Sequence, residues 1–220
     1  MTNLNQLLLN FEHKQNFKDE DFYVSKSNYF AFNLVNTWPK WEKNFLNICG
    51  DNFSGKSHLT NIFLKKFKGI KINAHLFKNK NLQEIKVYQN VILENFDQNI
   101  DEVLIYSLFN TIDHDNKYLI INSTTPINEI NFKLDDLKSR TKNCLFAKIE
   151  KPDDELMFAL ILKNFSDRQI VIDKKLIDFV IKRIDRSYGK IYEFIYKIDE
   201  LSLKRKKPID FKTIKEALKA

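Results

Sequence analysis

The segment Gly50-Asp51-Asn52-Phe53-Ser54-Gly55-Lys56-Ser57 joins an apolar run at residues 45–49 to a helix-like stretch at residues 58–67. The spacing G-x-x-x-x-G-K-[ST] has a physical reading. Glycine lets the backbone turn back on itself, so that successive amide N–H groups point inward at a phosphate. The following helix adds the positive end of its dipole. Lys56 then reaches the β- and γ-phosphates, and Ser57 places a hydroxyl on Mg²⁺. The chain holds four glycines, and two of them stand at the required spacing, so the pattern outweighs the plainer reading of a glycine-bearing turn. Phe53 occupies a position that is often glycine in such loops, which implies a loop that is tight or partly covered. The expected ligand is a nucleotide with Mg²⁺.

The surrounding pattern fixes the fold class. Short apolar runs at residues 45–49, 70–73, 91–93, 118–122 and 144–149 alternate with helix-like stretches, notably 58–67 and 101–114. The runs are rich in Ile, Val, Leu and Phe on both faces, as buried parallel strands are. Repeated strand–helix alternation predicts an α/β fold with a five-stranded parallel sheet. After Lys151-Pro152 the pattern turns to helices alone. Asp153, Asp154 and Glu155 open the first, where acids favour the positive helix end. Asp173 caps a second, which carries Leu176, Ile177, Val180, Ile181 and Ile184 on one face. A third runs from about Lys190 with the stripe Phe194, Ile195, Ile198 and Leu201, and a fourth follows Pro208, capped by Asp210. The expected organisation is a tail (1–20) with an apolar knot at Leu7, Leu8, Leu9 and Phe11, an α/β nucleotide-binding domain (21–150) and a small helical lid (151–220).

A second strand ends in Val91-Ile92-Leu93-Glu94-Asn95-Phe96-Asp97. In phosphate-loop enzymes this motif supplies an acid to the metal sphere and a carboxylate that orients water. Glu94 takes the first place, where Asp is usual, and Asn95 takes the second. An amide cannot accept a proton as a general base, so intrinsic hydrolysis is expected to be slow. An ordinary strand end is the competing reading.

Bulk properties add exclusions. The net charge of +7 would suit a nucleic-acid partner. Lys, Asn, Ile and Phe are abundant while Gly, Pro and Ala are scarce, the bias of an AT-rich genome, so the charge is discounted and DNA contact is expected to be weak or indirect. No basic and apolar leader opens the chain, and no apolar run approaches the roughly 20 residues that span a bilayer, so a cytoplasmic protein without membrane contact is expected. Cys49 and Cys144 end strand-like runs and read as small buried thiols. His13, His58, His75 and His114 make no ligand spacing, and no structural metal is expected.

Taken together, Phe22-Tyr23-Val24, Ser27-Asn28, Trp38-Pro39-Lys40-Trp41, Gly55-Lys56-Ser57-His58-Leu59 and Leu137-Lys138-Ser139-Arg140 resemble the DnaA-related AAA+ family over nearly the whole chain. The resemblance is greatest to its shorter Hda-type regulators. It implies an AAA+ P-loop core followed by an all-helical lid. It implies a site for ADP or ATP formed by residues 50–58 (Gly50, Asp51, Asn52, Phe53, Ser54, Gly55, Lys56, Ser57, His58) with Phe22 and Val24. Mg²⁺ would be held through Ser57 and Glu94, and a sensor residue would stand at Asn122 or Ser123, where a simple turn is the alternative. Arg140 falls on the family's arginine finger, which projects into a neighbouring subunit's nucleotide; a surface arginine paired to Asp135 or Asp136 is the plainer reading.

Two features separate regulator from initiator. The initiator carries a C-terminal helix-turn-helix domain, for which a chain stopping at Ala220 leaves no room. The tail Gln6-Leu7-Leu8-Leu9-Asn10-Phe11 is similar to the peptide by which Hda-type proteins bind the sliding clamp: Gln6 hydrogen-bonds at a pocket rim while Leu7, Leu9 and Phe11 fill an apolar groove. The lid departs from the family, because the second sensor arginine would align near Gly189, and the flanking Arg186 and Lys190 are not matches. The expected function is an Hda-like regulator of replication initiation. It binds adenine nucleotide, docks on the clamp and promotes hydrolysis of DnaA-bound ATP; DnaA, the clamp and a homo-oligomer are the implied partners. The rivals are a nucleotide-holding adaptor without a catalytic role and a free-standing ATPase related to helicase loaders.

Overall fold

A computed structural model describes residues 22–205 and 209–218. The tail residues Gln6, Leu7, Leu9 and Phe11, and Pro208 before the last helix, lie outside the described residues.

A short helix α1 (Tyr29–Asn36) precedes strand β1 (Phe45–Cys49), after which come α2 (Lys56–Lys66), β2 (Gly69–Asn73), α3 (Asn79–Glu84), β3 (Asn90–Phe96), α4 (Glu102–His114), β4 (Tyr118–Ser123), α5 (Asp135–Lys142) and β5 (Leu145–Lys148). The strands form one parallel sheet in the order β2-β3-β4-β1-β5. β1 is buried along its whole length, and β3 and β4 nearly so, because helices cover both faces. One face packs Phe45, Val91, Leu93, Leu119 and Ile121 against Ile105, Leu108 and Phe109 of α4. The other packs Leu46, Ile48, Ile92 and Ile120 against Leu59 and Phe63 of α2 and Ala31 and Val35 of α1.

The edge strand β5 differs from its expected both-face burial. Phe146 is 41% exposed and Lys148 is also exposed, while Ala147 between them is fully buried. An edge strand with one covered face shows alternation instead of a continuous apolar run. The helix after the loop begins at Lys56, two residues earlier than the apolar pattern indicates, because its first turn belongs to the phosphate loop.

The C-terminal helices are α6 (Asp154–Asp167), α7 (Lys174–Ile181), α8 (Tyr188–Arg205) and α9 (Phe211–Leu218). Their caps are those expected. The Asp153 carboxylate accepts from Leu156 N at 2.8 Å, Asp173 from Lys175 N at 2.8 Å and Asp210 from Thr213 N at 2.8 Å. Met157, Ile161, Phe165, Ile177, Ile195 and Ile198 form a core of their own. Helix α8 begins at Tyr188 rather than Lys190. The Tyr188 ring is buried in the α/β core and its hydroxyl donates to Glu150 O at 3.0 Å, with burial pushing its pKa up to about 12. Asp153 joins the same region by accepting from Ser27 N at 3.2 Å. Among the described residues, no helix is long and apolar enough to cross a membrane.

One buried polar group escapes the apolar reading of β1. Asn47 is fully buried at the centre of the sheet. Its Nδ2 donates to Ile121 O at 3.0 Å and to Ser123 Oγ at 2.9 Å, and its Oδ1 accepts from Ile127 N at 3.1 Å. Truncation to Asn47→Ala would orphan the Ile127 N–H in the interior and free Ser123 at the edge of the loop. Urea titration is expected to show a loss of about 3 kcal/mol, the scale of an unsatisfied buried donor plus lost hydrogen bonds.

Candidate nucleotide site

The loop is built on the C-terminal end of the buried strand β1. Gly50 N donates to Ser123 O at 3.2 Å, which ties the loop's first residue to the end of β4. A Cβ at Gly50 would stand 2.8 Å from Ser54 Oγ and 3.1 Å from Ile149 O, so the close packing requires glycine. Ser54 N donates to Asp51 O at 3.2 Å, closing a tight turn. Gly55, at φ +95°, is the N-cap of α2, so the first amides of that helix open toward the loop. Phe53, at φ +66°, adopts a backbone region that costs a side chain energy and that glycine would occupy freely.

Lys56 Nζ reaches back across the loop and donates to Gly50 O at 2.6 Å and Asp51 O at 2.8 Å. Burial lowers its pKa from the ordinary lysine value, against the attraction of Cys49, Glu94 and Asp51. Beneath the loop, Ser57 Oγ donates to Glu94 Oε2 at 2.7 Å, and Thr60 Oγ1 donates to Glu94 Oε1 at 2.9 Å. Glu94 is buried, with Lys71 Nζ 4.0 Å from Oε1. Thr60 is a site residue that motif reading passed over. Its signal was its place three residues after Ser57, on the same helix face.

The strand ends complete the site. A register shift between β3 and β4 falls at Leu93/Phe96, and Asn95 sits within it at φ +57° with its side chain exposed. Asn tolerates this left-handed conformation, and the bulge aims the amide outward while Glu94 points in. Asn122 is buried; its Nδ2 donates to Thr60 Oγ1 at 3.3 Å, and its Oδ1 has no partner among the described residues. Ser123 is held by Asn47. A cleft of about 550 Å³ opens over this arrangement, lined by residues 52–58 together with His75, Asn95, Asp97, Asn122, Ser123 and Tyr192.

The remaining expected residues fall as follows. The Phe22 ring packs edge-on against His58 at 5.3 Å and stacks on Phe32 at 5.7 Å, flanking the start of α2. Val24 is half-buried and does not line the cleft. Arg140 lies on α5, away from the lining. Its guanidinium pairs with Asp113 of α4, not with Asp135 or Asp136, and lies 5.5 Å from the centroid of Tyr106. Asp135 is instead paired by Lys138 at 3.0 Å, because i,i+3 neighbours on one helix face meet each other while Arg140 turns toward α4. In the lid, Arg186 pairs with Asp154 at 2.8 Å and Lys190 with Glu193 at 2.8 Å, and neither lines the cleft. Cys49 is buried and Cys144 half-buried, both as free thiols; burial pushes the Cys144 thiol up to about 12.

The chain is similar to the solved domain III of the replication initiation protein DnaA from Thermotoga maritima, with a TM-score of 0.75 at 21% identity, covering 92% of this chain and 95% of that one. The chain has the AAA+ P-loop fold of that domain. Similarity extends to AMPPCP-bound DnaA from Aquifex aeolicus, with a TM-score of 0.66 at 21% identity over 85% of this chain and 67% of that one. In sequence, the chromosomal replication initiator DnaA of Thermoanaerobacter sp. (strain X514) is 27% identical over 226 residues, covering 91% of this chain and 51% of that protein. The chain therefore spans about half the length of the curated relatives it matches. No protein-family model matches it. The AAA+ arrangement explains why the loop, Glu94 and Asn122 converge: β1, β3 and β4 are adjacent in the sheet, so their C-terminal ends meet at one edge.

Proposed function

We propose that the chain binds adenine nucleotide with Mg²⁺ and acts as an Hda-like regulator of replication initiation, docking on the sliding clamp and promoting hydrolysis of ATP held by DnaA. The observation that carries the nucleotide reading is the hydroxyl–carboxylate cluster of Ser57, Thr60 and Glu94 directly beneath a glycine-capped loop. Its donors are all oxygen, the set a hard cation such as Mg²⁺ takes. Mg²⁺ would be held through Ser57 and Glu94, where it would neutralise phosphate charge. Lys56 would exchange the Gly50 and Asp51 carbonyls for phosphate oxygens, a stronger charge-assisted pairing. Asn122, whose buried Oδ1 has no partner among the described residues, and Ser123 border the position a terminal phosphate would occupy, which suits either to a sensor role.

The regulatory part rests on two observations. Asn95 stands exposed in the cleft where a base would be needed, and an amide cannot serve as one. Arg140 lies outside its own cleft, so a nucleotide it contacts would belong to another subunit. Slow turnover of its own nucleotide and a cation offered outward suit a protein that acts on a partner's ATP. A replication role of this kind would place it in the cytoplasm.

The clamp part rests on Gln6, Leu7, Leu9 and Phe11 and is tested separately. Pull-down on immobilised clamp is expected to retain the full chain and to lose about tenfold in affinity with Gln6→Ala or Leu9→Ala, the scale of losing one anchoring contact of a short peptide. Retention of both variants at wild-type strength would remove the clamp from the account. Acceleration of DnaA-bound ATP hydrolysis by the chain, in the presence of DNA-loaded clamp, tests the function as a whole; no acceleration would leave the adaptor reading.

A further inference from the structure

Among the described residues, the lid touches the cleft through an aromatic side chain and not through a cation. Tyr192 of α8 lines the cleft, and its ring lies 5.1 Å from that of Phe53 at an interplanar angle of 41°. Phe53 remains 60% exposed and is held in the left-handed backbone region in the loop. Tyr192 is anchored from behind. Burial pushes the pKa of its hydroxyl up, and the neighbouring Asn164 side chain is itself tied down: Asn164 Nδ2 donates to Leu160 O at 2.8 Å, Asn164 Oδ1 accepts from Arg168 Nη1 at 3.2 Å, and Arg168 Nε donates to Asp199 at 3.2 Å. The ring thus stands on α8 beside a hydrogen-bonded network that joins α6 to α8, and the loop residue it meets has a strained backbone. The basic side chains flanking Gly189 are engaged within the lid, Arg186 with Asp154 and Lys190 with Glu193.

We infer that Tyr192 and Phe53 form an aromatic latch between the lid and the phosphate loop, which retains bound nucleotide without discriminating adenosine diphosphate from triphosphate. This rests on the nucleotide-binding reading above and deepens it. A lid cation aimed at the cleft would add affinity only when a γ-phosphate is present to pair with it. A neutral ring that grips the loop itself resists the opening through which either nucleotide leaves. The aromatic contact is made to protein and is the same whichever nucleotide lies below it. Phe53 thereby has a use that glycine could not supply, which accounts for a side chain at a strained position. Tyr192 acts through the loop and is a positioning residue.

The test is stopped-flow release of a fluorescent ADP and of a fluorescent non-hydrolysable ATP analogue from the full chain. Tyr192→Ala and Phe53→Gly are each expected to raise the dissociation rate of both nucleotides by about tenfold, equivalent to about 1.4 kcal/mol. Association rates and the melting temperature of the free protein should change little. Tyr192→Phe, which keeps the ring, should release both nucleotides near the wild-type rate. Because both rings contribute to one contact, the double variant should release nucleotide no faster than the worse single one. Selective acceleration of the triphosphate analogue by Tyr192→Ala, or rates within twofold of wild type for both nucleotides, would overturn the latch while leaving nucleotide binding intact. Failure of the wild-type chain to bind either probe would instead overturn the binding reading, and the latch with it.

Discussion

Substitution of Arg140 by alanine is expected to reduce the stimulated hydrolysis of DnaA-bound ATP by about 10³–10⁵-fold, the range over which an arginine finger supplied in trans acts. The geometry makes this prediction selective. Arg140 does not line the cleft of its own subunit, so Arg140→Ala should bind ADP and ATP as the wild type does. Its guanidinium is paired with Asp113 and lies over Tyr106, so it is held at the surface of α4 and α5 and presented in a defined orientation. Arg140→Lys keeps the charge but not the planar fork, and should recover little of the rate if bidentate contact to a transferring phosphate is what matters. Asp113→Asn loosens the arginine without removing it and is expected to fall between the two. Single-turnover measurement on preloaded DnaA–ATP, with DNA-loaded clamp present, checks all three. A surface arginine with only a structural pairing would leave the stimulated rate within a few-fold of wild type.

The second large effect is expected at the loop. Lys56→Ala should weaken binding of Mg-ADP and Mg-ATP by at least about 100-fold, or about 2.7 kcal/mol, by titration calorimetry. The free protein should not be destabilised by the change. Burial holds the Lys56 pKa in the folded state below its unfolded value, so carrying the charge costs stability at neutral pH. That cost is present below the folded pKa and is relieved as pH rises through it toward the unfolded value. Removing the ammonium removes the cost, and the melting temperature of Lys56→Ala without nucleotide should equal or exceed that of the wild type. A variant that lost affinity only because it unfolded would show the opposite.

Much of this arrangement was legible in the sequence for physical reasons. Strands β1, β3 and β4 are buried on both faces, so most of their residues had to be apolar, and the runs stood out. Loop positions 50 and 55 demand glycine, one for close packing and one for backbone sign, in a chain that otherwise avoids it. Asp153, Asp173 and Asp210 marked helix starts because capping needs a short acceptor just before the first turn.

What was not legible depended on contacts distant in sequence. The partner of Arg140 is Asp113, 27 residues away and on another helix, which no local spacing indicates. Asn47 sits within an apolar run, and only the strand neighbour and the turn after β4 explain it. Tyr192 lies on a lid helix whose stripe reads as ordinary core, and its place over the loop follows from how α8 enters from Tyr188. The lid's departure from the family pattern at Gly189 was visible; the aromatic contact in its place was not. The open face of edge strand β5 is hidden in the sequence because its exposed Phe146 looks like any buried apolar residue.

In the proposed function this chain keeps its own nucleotide and acts on another protein's. Single-turnover assays with the label placed in turn on each partner test it directly. With labelled ATP on the chain alone, hydrolysis should be slow, and it should remain slow when DnaA and DNA-loaded clamp are added. With labelled ATP on DnaA, addition of the chain and DNA-loaded clamp should produce rapid hydrolysis. Rapid turnover of the chain's own ATP, with DnaA-bound ATP left unchanged, would contradict the account and mark the protein as an ATPase in its own right.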